Sequence, residues 1–166
     1  TKTLAFAQRN MAKEAILMRD SGESFDDIVA MMKEKSEFAK SYLLPTDMGF
    51  LKRGGRLTPL AASMSGLLKL QPVVSATDDG TRLEKFTVAR NFNIGIKKIF
   101  EDLQSLNVNE DYKFAIVHSQ FLDKAEEVIQ KIKDTFNVDH VEVHELSCAF
   151  ITHGGPQCLA IQVVKK

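Results

Sequence analysis

The chain has 166 residues, enough for one core of ordinary size and too few to expect two without a break in composition. Lysine and arginine total 22 and aspartate and glutamate 22, so no overall field gathers a polyanion; a nucleic-acid partner is not expected, and any anion site must be local. The longest apolar stretches, such as Phe114–Val117, fall far below the roughly 20 residues that span a bilayer, so no membrane insertion is expected.

Leu4, Met11, Ala15 and Met18 recur at helical spacing, and Asp20-Ser21-Gly22 ends that helix with a glycine that tolerates left-handed dihedrals. No initiator methionine or capping residue precedes Leu4, so the chain is expected to open inside a helix and to be a piece of something longer. A second helix starts at Ser24, capped by its hydroxyl with Asp27 answering three residues on, and buries Phe25, Ile28, Val29 and Met32. Ser41–Pro45 reads as a short strand. Thr46 is expected to cap a short helix through Phe50 and Leu51 that stops at Gly54-Gly55. Thr58-Pro59 then restarts a helix toward Lys69, proline suiting the first helical position because no partner awaits its missing N–H.

Gln71–Ala76 and Thr81–Val88 flank Asp78-Asp79-Gly80, whose glycine supplies positive φ for a hairpin turn. Phe92, Ile96, Ile99, Leu103 and Leu106 stripe one helix, Tyr112–His118 is a strand, and Leu122, Ala125, Val128, Ile129, Ile132 and Phe136 stripe the next helix. Three strands are expected to finish the chain: His140–Glu145, Cys148–His153 and Leu159–Val164. The last two would join through a turn at His153–Pro156, with Leu159, Ile161 and Val163 facing inward. Hairpins imply antiparallel pairing, and the helix–strand–helix stretch at 92–136 can add crossovers. The expected fold class is therefore α+β: a two-layer sandwich with a mostly antiparallel, mixed sheet and helices packed on one face.

Most polar clusters have an ordinary explanation. His140 and His144 would stand about 13 Å apart on a strand at about 3.3 Å per residue, too far for one metal, and read as solvated side chains. Cys148 and Cys158 are placed symmetrically about His153 and would face each other across a hairpin. Two thiols make a poor zinc site, and buried free cysteines in a reducing cytoplasm are the simpler reading. Neither a phosphate loop nor a nucleophile elbow occurs, while Asp78-Asp79 and Glu126-Glu127 fit a turn and a helix face. No catalytic residue, metal set or cofactor motif is visible, so an enzyme is not expected.

Lys52-Arg53-Gly54-Gly55-Arg56-Leu57-Thr58-Pro59 admits two readings. The glycines can end one helix while the cations favour its C-terminal dipole. Alternatively Gly54 and Gly55 turn their N–H groups outward as a nest, Arg53 and Arg56 add forked donors, and the helix at Pro59 adds its positive end, a set suited to a carboxylate or phosphate. His153 is expected in an exposed position at the mouth of the Gly154-Gly155-Pro156 turn.

Five segments in register carry a resemblance: Leu51–Leu57 (LKRGGRL), GLLKLQPVV from Gly66, DDGTRLEKFTVAR from Asp78, VHSQFLDKAEEVIQKI from Val117, and ITHGGPQCLAI from Ile151. The chain resembles the C-terminal part of the DegV family of bacterial fatty-acid-binding proteins, from about Asn10 onward. The resemblance implies a soluble cytoplasmic carrier that encloses one long-chain fatty acid between two domains, and in some members presents its carboxylate to a separate kinase subunit. It places Arg53, Gly54, Gly55, Arg56, Arg90 and His153 near the carboxylate or the kinase-docking face, with Gly154, Gly155 and Pro156 shaping the turn. A buried carboxylate needs such partners, because it must be hydrogen-bonded or neutralised. It also implies that residues 1–22 are a terminal helix left from an N-terminal domain, and 23–166 the C-terminal domain. The Ser/Thr-rich loop that holds the carboxylate in the family has no counterpart here, so the chain alone is expected to bind weakly. Two departures stand out: Gln157 replaces the last glycine of the terminal motif, and Val88-Ala89 stand before Arg90 where a basic residue is common. A phosphate-handling enzyme and a protein-interaction module remain alternatives to a lipid binder.

Overall fold

A computed structural model describes residues 2–66 and 69–166. Among these residues seven α-helices and six strands follow in the order α1 (Ala5–Asp20), α2 (Phe25–Glu37), β1 (Lys40–Leu44), α3 (Met48–Arg53), α4 (Pro59–Ala62), β2 (Gln71–Ala76), β3 (Leu83–Ala89), α5 (Phe92–Ser105), β4 (Tyr112–His118), α6 (Leu122–Phe136), β5 (Val141–Glu145), α7 (Cys148–Gly154) and β6 (Leu159–Lys165). The sheet runs β3-β2-β1-β6-β4-β5, antiparallel throughout except for the β4–β5 pair. That parallel pair is possible because α6 carries the chain back across the sheet. The expected α+β class with a mixed, mostly antiparallel sheet stands.

Alternation along the strands decides what each face can hold. On one face β1 presents Tyr42 and Leu44, β4 Phe114 and Ile116, and β6 Leu159, Ile161 and Val163. These pack with Ile96, Ile99 and Leu103 of α5 and Val128, Ile132 and Phe136 of α6 in the largest hydrophobic cluster. Both helices are the amphipathic stripes read from the sequence, although Leu106 and Leu122 at their ends are exposed.

The opposite face carries helices as well, which the expected two layers did not include. Phe6 and Ala7 of α1 and Phe150 and Ile151 of α7 meet Ala115, Val117 and Ala160, while Met48, Leu51, Ala61 and Met64 cluster on Val74. Gln162, fully buried in β6 on this side, pins the start of α1. Its Oε1 accepts from Phe6 N at 2.9 Å, and its Nε2 donates to Leu4 O and to Ser41 Oγ. A buried amide with its hydrogen bonds made costs little, whereas an unmade set would be expensive.

Several expectations are corrected. Cys148–His153 is helix, not strand, so no terminal hairpin exists: Cys148 lies exposed at the start of α7 and Cys158 is buried ahead of β6. Asp47, not Thr46, caps α3 by accepting from Gly49 N, because Thr46 Oγ1 is turned to donate to Pro156 O at 2.9 Å. Phe25 is 78% exposed, since α2 meets the rest of the fold through Ile28, Val29 and Met32, which are half-buried. The helix begun at Pro59, capped by Thr58, stops at Ala62 and continues as a 3-10 turn over Ser63–Gly66; its expected extension at Leu67 and Leu68 lies outside the described residues.

Candidate functional site

The face carrying α1 and α7 is hollow. Between its two hydrophobic clusters lies a cavity of about 390 Å³, within the range of small-ligand pockets. Its existence follows from side-chain size. The floor is a cross-strand row in register, Leu43–Ala160–Val117, flanked by the small residues Ser41 and Ala76. Where the other face shows leucine and isoleucine, this one shows alanine and serine, and helices that already rest on Phe6 and Phe150 cannot sink far enough to fill the gap. Leu51, Leu83, Leu146 and Phe150 complete walls that are mainly apolar.

The charged groups are few and of one sign. Among the described residues lining the cavity, the only ionic side chains are Arg56 and Arg82, joined by His153; no carboxylate lines it. Both arginines are exposed as residues, so they stand at its rim. This arrangement suits an apolar body with an anionic head.

The rim is built by α3 meeting α7. The last turn of α3 closes in a Schellman motif: Gly54 N donates to Phe50 O, Gly55 N to Lys52 O, and Arg56 N to Leu51 O, with Gly55 at φ +65°. Those N–H groups are thereby used inside the helix end, and the outward nest read from the sequence does not form. The glycines act by shape. A Cβ on Gly54 would overlap Nδ1 of His153, and one on Gly155 would stand 2.8 Å from the Phe50 ring. His153 itself sits in the last turn of α7, half-buried rather than exposed, and its Nδ1 is buried with no hydrogen-bond partner among the described residues. Gln157, where the resembling family has glycine, adopts φ +51°, a left-handed conformation that glycine takes at least cost.

The structure thus brings Arg56, His153 and Gly154 to one cavity, with Gly54 against the His153 ring and Gly155 and Pro156 in the turn that follows. Arg53 is not on its lining: its guanidinium lies over the Phe50 ring, 4.7 Å from the centre, on the exposed side of α3. Arg90, exposed after β3, is not on the lining either. Arg82 is, and the sequence reading passed over it, since an arginine beside an Asp-Gly turn looks like solvated hairpin.

Other polar groups are accounted for without a ligand. His144 is not simply solvated: its Nε2 lies 2.8 Å from Glu142 and 3.2 Å from Arg9 Nη1, with Phe6 stacked on the ring. The buried Tyr42 hydroxyl donates to Asp102, and burial followed by that hydrogen bond pushes its pKa far up. No group of three or more potential metal ligands occurs among the described residues, and no helix is long and apolar enough to cross a membrane.

Fold and site together define an α+β domain built over an apolar cavity with a cationic rim. The chain belongs to the DegV family: all of residues 1–166 match the family described as "Uncharacterised protein, DegV family". A DegV domain-containing protein from Clostridium perfringens is 27% identical over 163 residues, covering 97% of this chain and 55% of that protein. A fatty acid binding DegV family protein from Streptococcus agalactiae has a similar structure, with TM-score 0.90 and 25% identity over 99% of this chain and 58% of that one. A DegV family protein from Eubacterium eligens, loaded with heptadecanoic acid, shares the fold at TM-score 0.80 and 20% identity, over 99% of this chain and 59% of that one. The chain therefore spans little more than half the length of these relatives.

Proposed function

We propose that this chain is the acyl-chain-binding part of a bacterial fatty-acid carrier. The observation that carries the reading is an apolar cavity of about 390 Å³ whose only charged linings, among the described residues, are Arg56 and Arg82. An acyl chain gains roughly 0.8 kcal/mol for each methylene taken out of water, while a carboxylate at the rim meets forked guanidinium donors and the His153 imidazole. Family membership and the fatty-acid ligands of related proteins support the same ligand class.

In this reading the rest of a longer carrier completes the enclosure and holds the carboxylate, and one fatty acid is bound per molecule. Arg53 and Arg90, cationic and outside the cavity lining, are then free to meet a separate kinase subunit to which the head group is presented. The protein itself supplies no chemical step.

Mass spectrometry of lipids extracted from the natural full-length protein tests this directly. One fatty acid per molecule is expected. A protein that is purified empty and takes up no fatty acid when offered one contradicts the carrier reading, and retention of a phosphate ester would favour a phosphate-handling role. Equilibrium dialysis of the 166-residue chain alone against a labelled fatty acid is expected to show weak binding.

A further inference from the structure

We propose that Arg82 is a second anchor for the anionic head of the ligand, pairing with Arg56 across the rim. The inference rests on the carrier reading and identifies a residue for it. Of the four arginines near this end of the fold, Arg53, Arg56, Arg82 and Arg90, only Arg56 and Arg82 line the cavity. They come from separate segments that are locked together. Leu83 N donates to Arg56 O at 2.7 Å and Thr58 N to Leu83 O at 2.8 Å, bridging Leu57 to Leu83.

The backbone of Arg82 is also fixed from the turn side. Its N–H donates to Thr77 Oγ1 at 3.2 Å and its carbonyl accepts from Thr77 N at 3.0 Å. Asp79 tightens the same turn, accepting from Thr77 Oγ1, Thr81 N and Thr81 Oγ1. The side chain makes one long bond, Nη1 to Leu57 O at 3.4 Å, which leaves most of its five donors available. Neither Arg56 nor Arg82 takes part in an ion pair among the described residues. Arg56 donates its Nη1 to Gly54 O at 2.6 Å and keeps its other donors. Two guanidinium groups without an ion pair, beside an apolar cavity that no carboxylate lines, are stabilised by an anion arriving with the ligand, and a preorganised fork loses little freedom in binding it.

The test uses full-length protein with oleate and methyl oleate as probes, since the ester keeps the chain and removes the charge. Arg82→Gln is expected to weaken oleate binding roughly tenfold or more and to leave methyl oleate unchanged, with Arg82→Lys recovering part of the loss. Arg19→Gln, at the exposed end of α1 and off the cavity lining, is expected to change neither. Unaltered oleate affinity in Arg82→Gln overturns the proposal, and so does an equal loss for oleate and ester, which would assign Arg82 to hairpin shape alone. If the wild type takes up neither probe, the carrier reading itself fails and Arg82 falls with it.

Discussion

The two faces of the sheet differ in what their strands offer. One presents Leu44, Ile116, Leu159 and Ile161 to two long amphipathic helices, which bury all four. The other presents Ser41, Ala76, Ala115 and Ala160 to shorter or more peripheral helices, and a cavity remains. The contrast teaches that the hollow follows from small side chains on four neighbouring strands, under helices held off by their own aromatic residues. Stability resides mainly on the first face, and the second carries the proposed binding site.

Substitutions can break that division. Ile132→Ala, on the closed face and fully buried, is expected to cost about 2–5 kcal/mol in denaturant unfolding. Leu43→Ala, at the cavity floor, is expected to cost clearly less, because its side chain already borders empty space. Equal losses would contradict the contrast. A middle-sized effect is expected at the rim. Gly54→Val should overlap His153 and cost about 1–3 kcal/mol, and His153→Ala in the same molecule should recover much of it in a double-mutant cycle.

Smaller effects sharpen the picture without unfolding anything. Burial pushes the Cys158 thiol up to about 11, so at pH 8 an aromatic disulfide reagent should label one thiol per chain rapidly, the exposed Cys148. Rapid labelling of two would mean that the cavity face opens readily. The least effect is at the hairpin turn. Hydrogen bonds from Thr77 and then Thr81 lower Asp79 to about 2. A depressed carboxyl favours the folded turn above the ordinary carboxylate range, and this contribution is lost as pH falls toward 2. An NMR titration of Asp79 should show that low midpoint, and an ordinary one would mean that the turn holding Arg82 is loose.

Elements with strong periodicity were legible from the residues alone. Helices α5 and α6 and the β2–β3 hairpin announce themselves through 3.6-residue stripes and an Asp-Gly turn. Cys148-Ala149-Phe150-Ile151-Thr152 did not, because a short run with aromatic and β-branched residues looks like a strand. Its helical form is set by packing: Phe150 and Ile151 both reach the apolar cluster, and His153 comes to rest on Gly54. The cap of α3 went to Asp47 for a similar reason, since Thr46 is held by a carbonyl 110 residues away in sequence. Of the site, the Gly54–Arg56 and His153–Gly154 segments could be picked out by composition, but their meeting could not. Arg82 was invisible because its place on the cavity lining depends on the Leu57–Leu83 bridge, a long-range pairing that leaves no local signature.

The most direct test of the central claim, that the α1/α7 face holds the ligand, is NMR of methyl-labelled full-length protein with a carbon-13-labelled fatty acid. Contacts from the acyl chain to the methyl groups of Leu43, Leu51, Val117 and Leu146 are expected, with none to Leu103 or Ile132. Acyl contacts on the α5/α6 face, or a protein that gives none on either, would contradict the account.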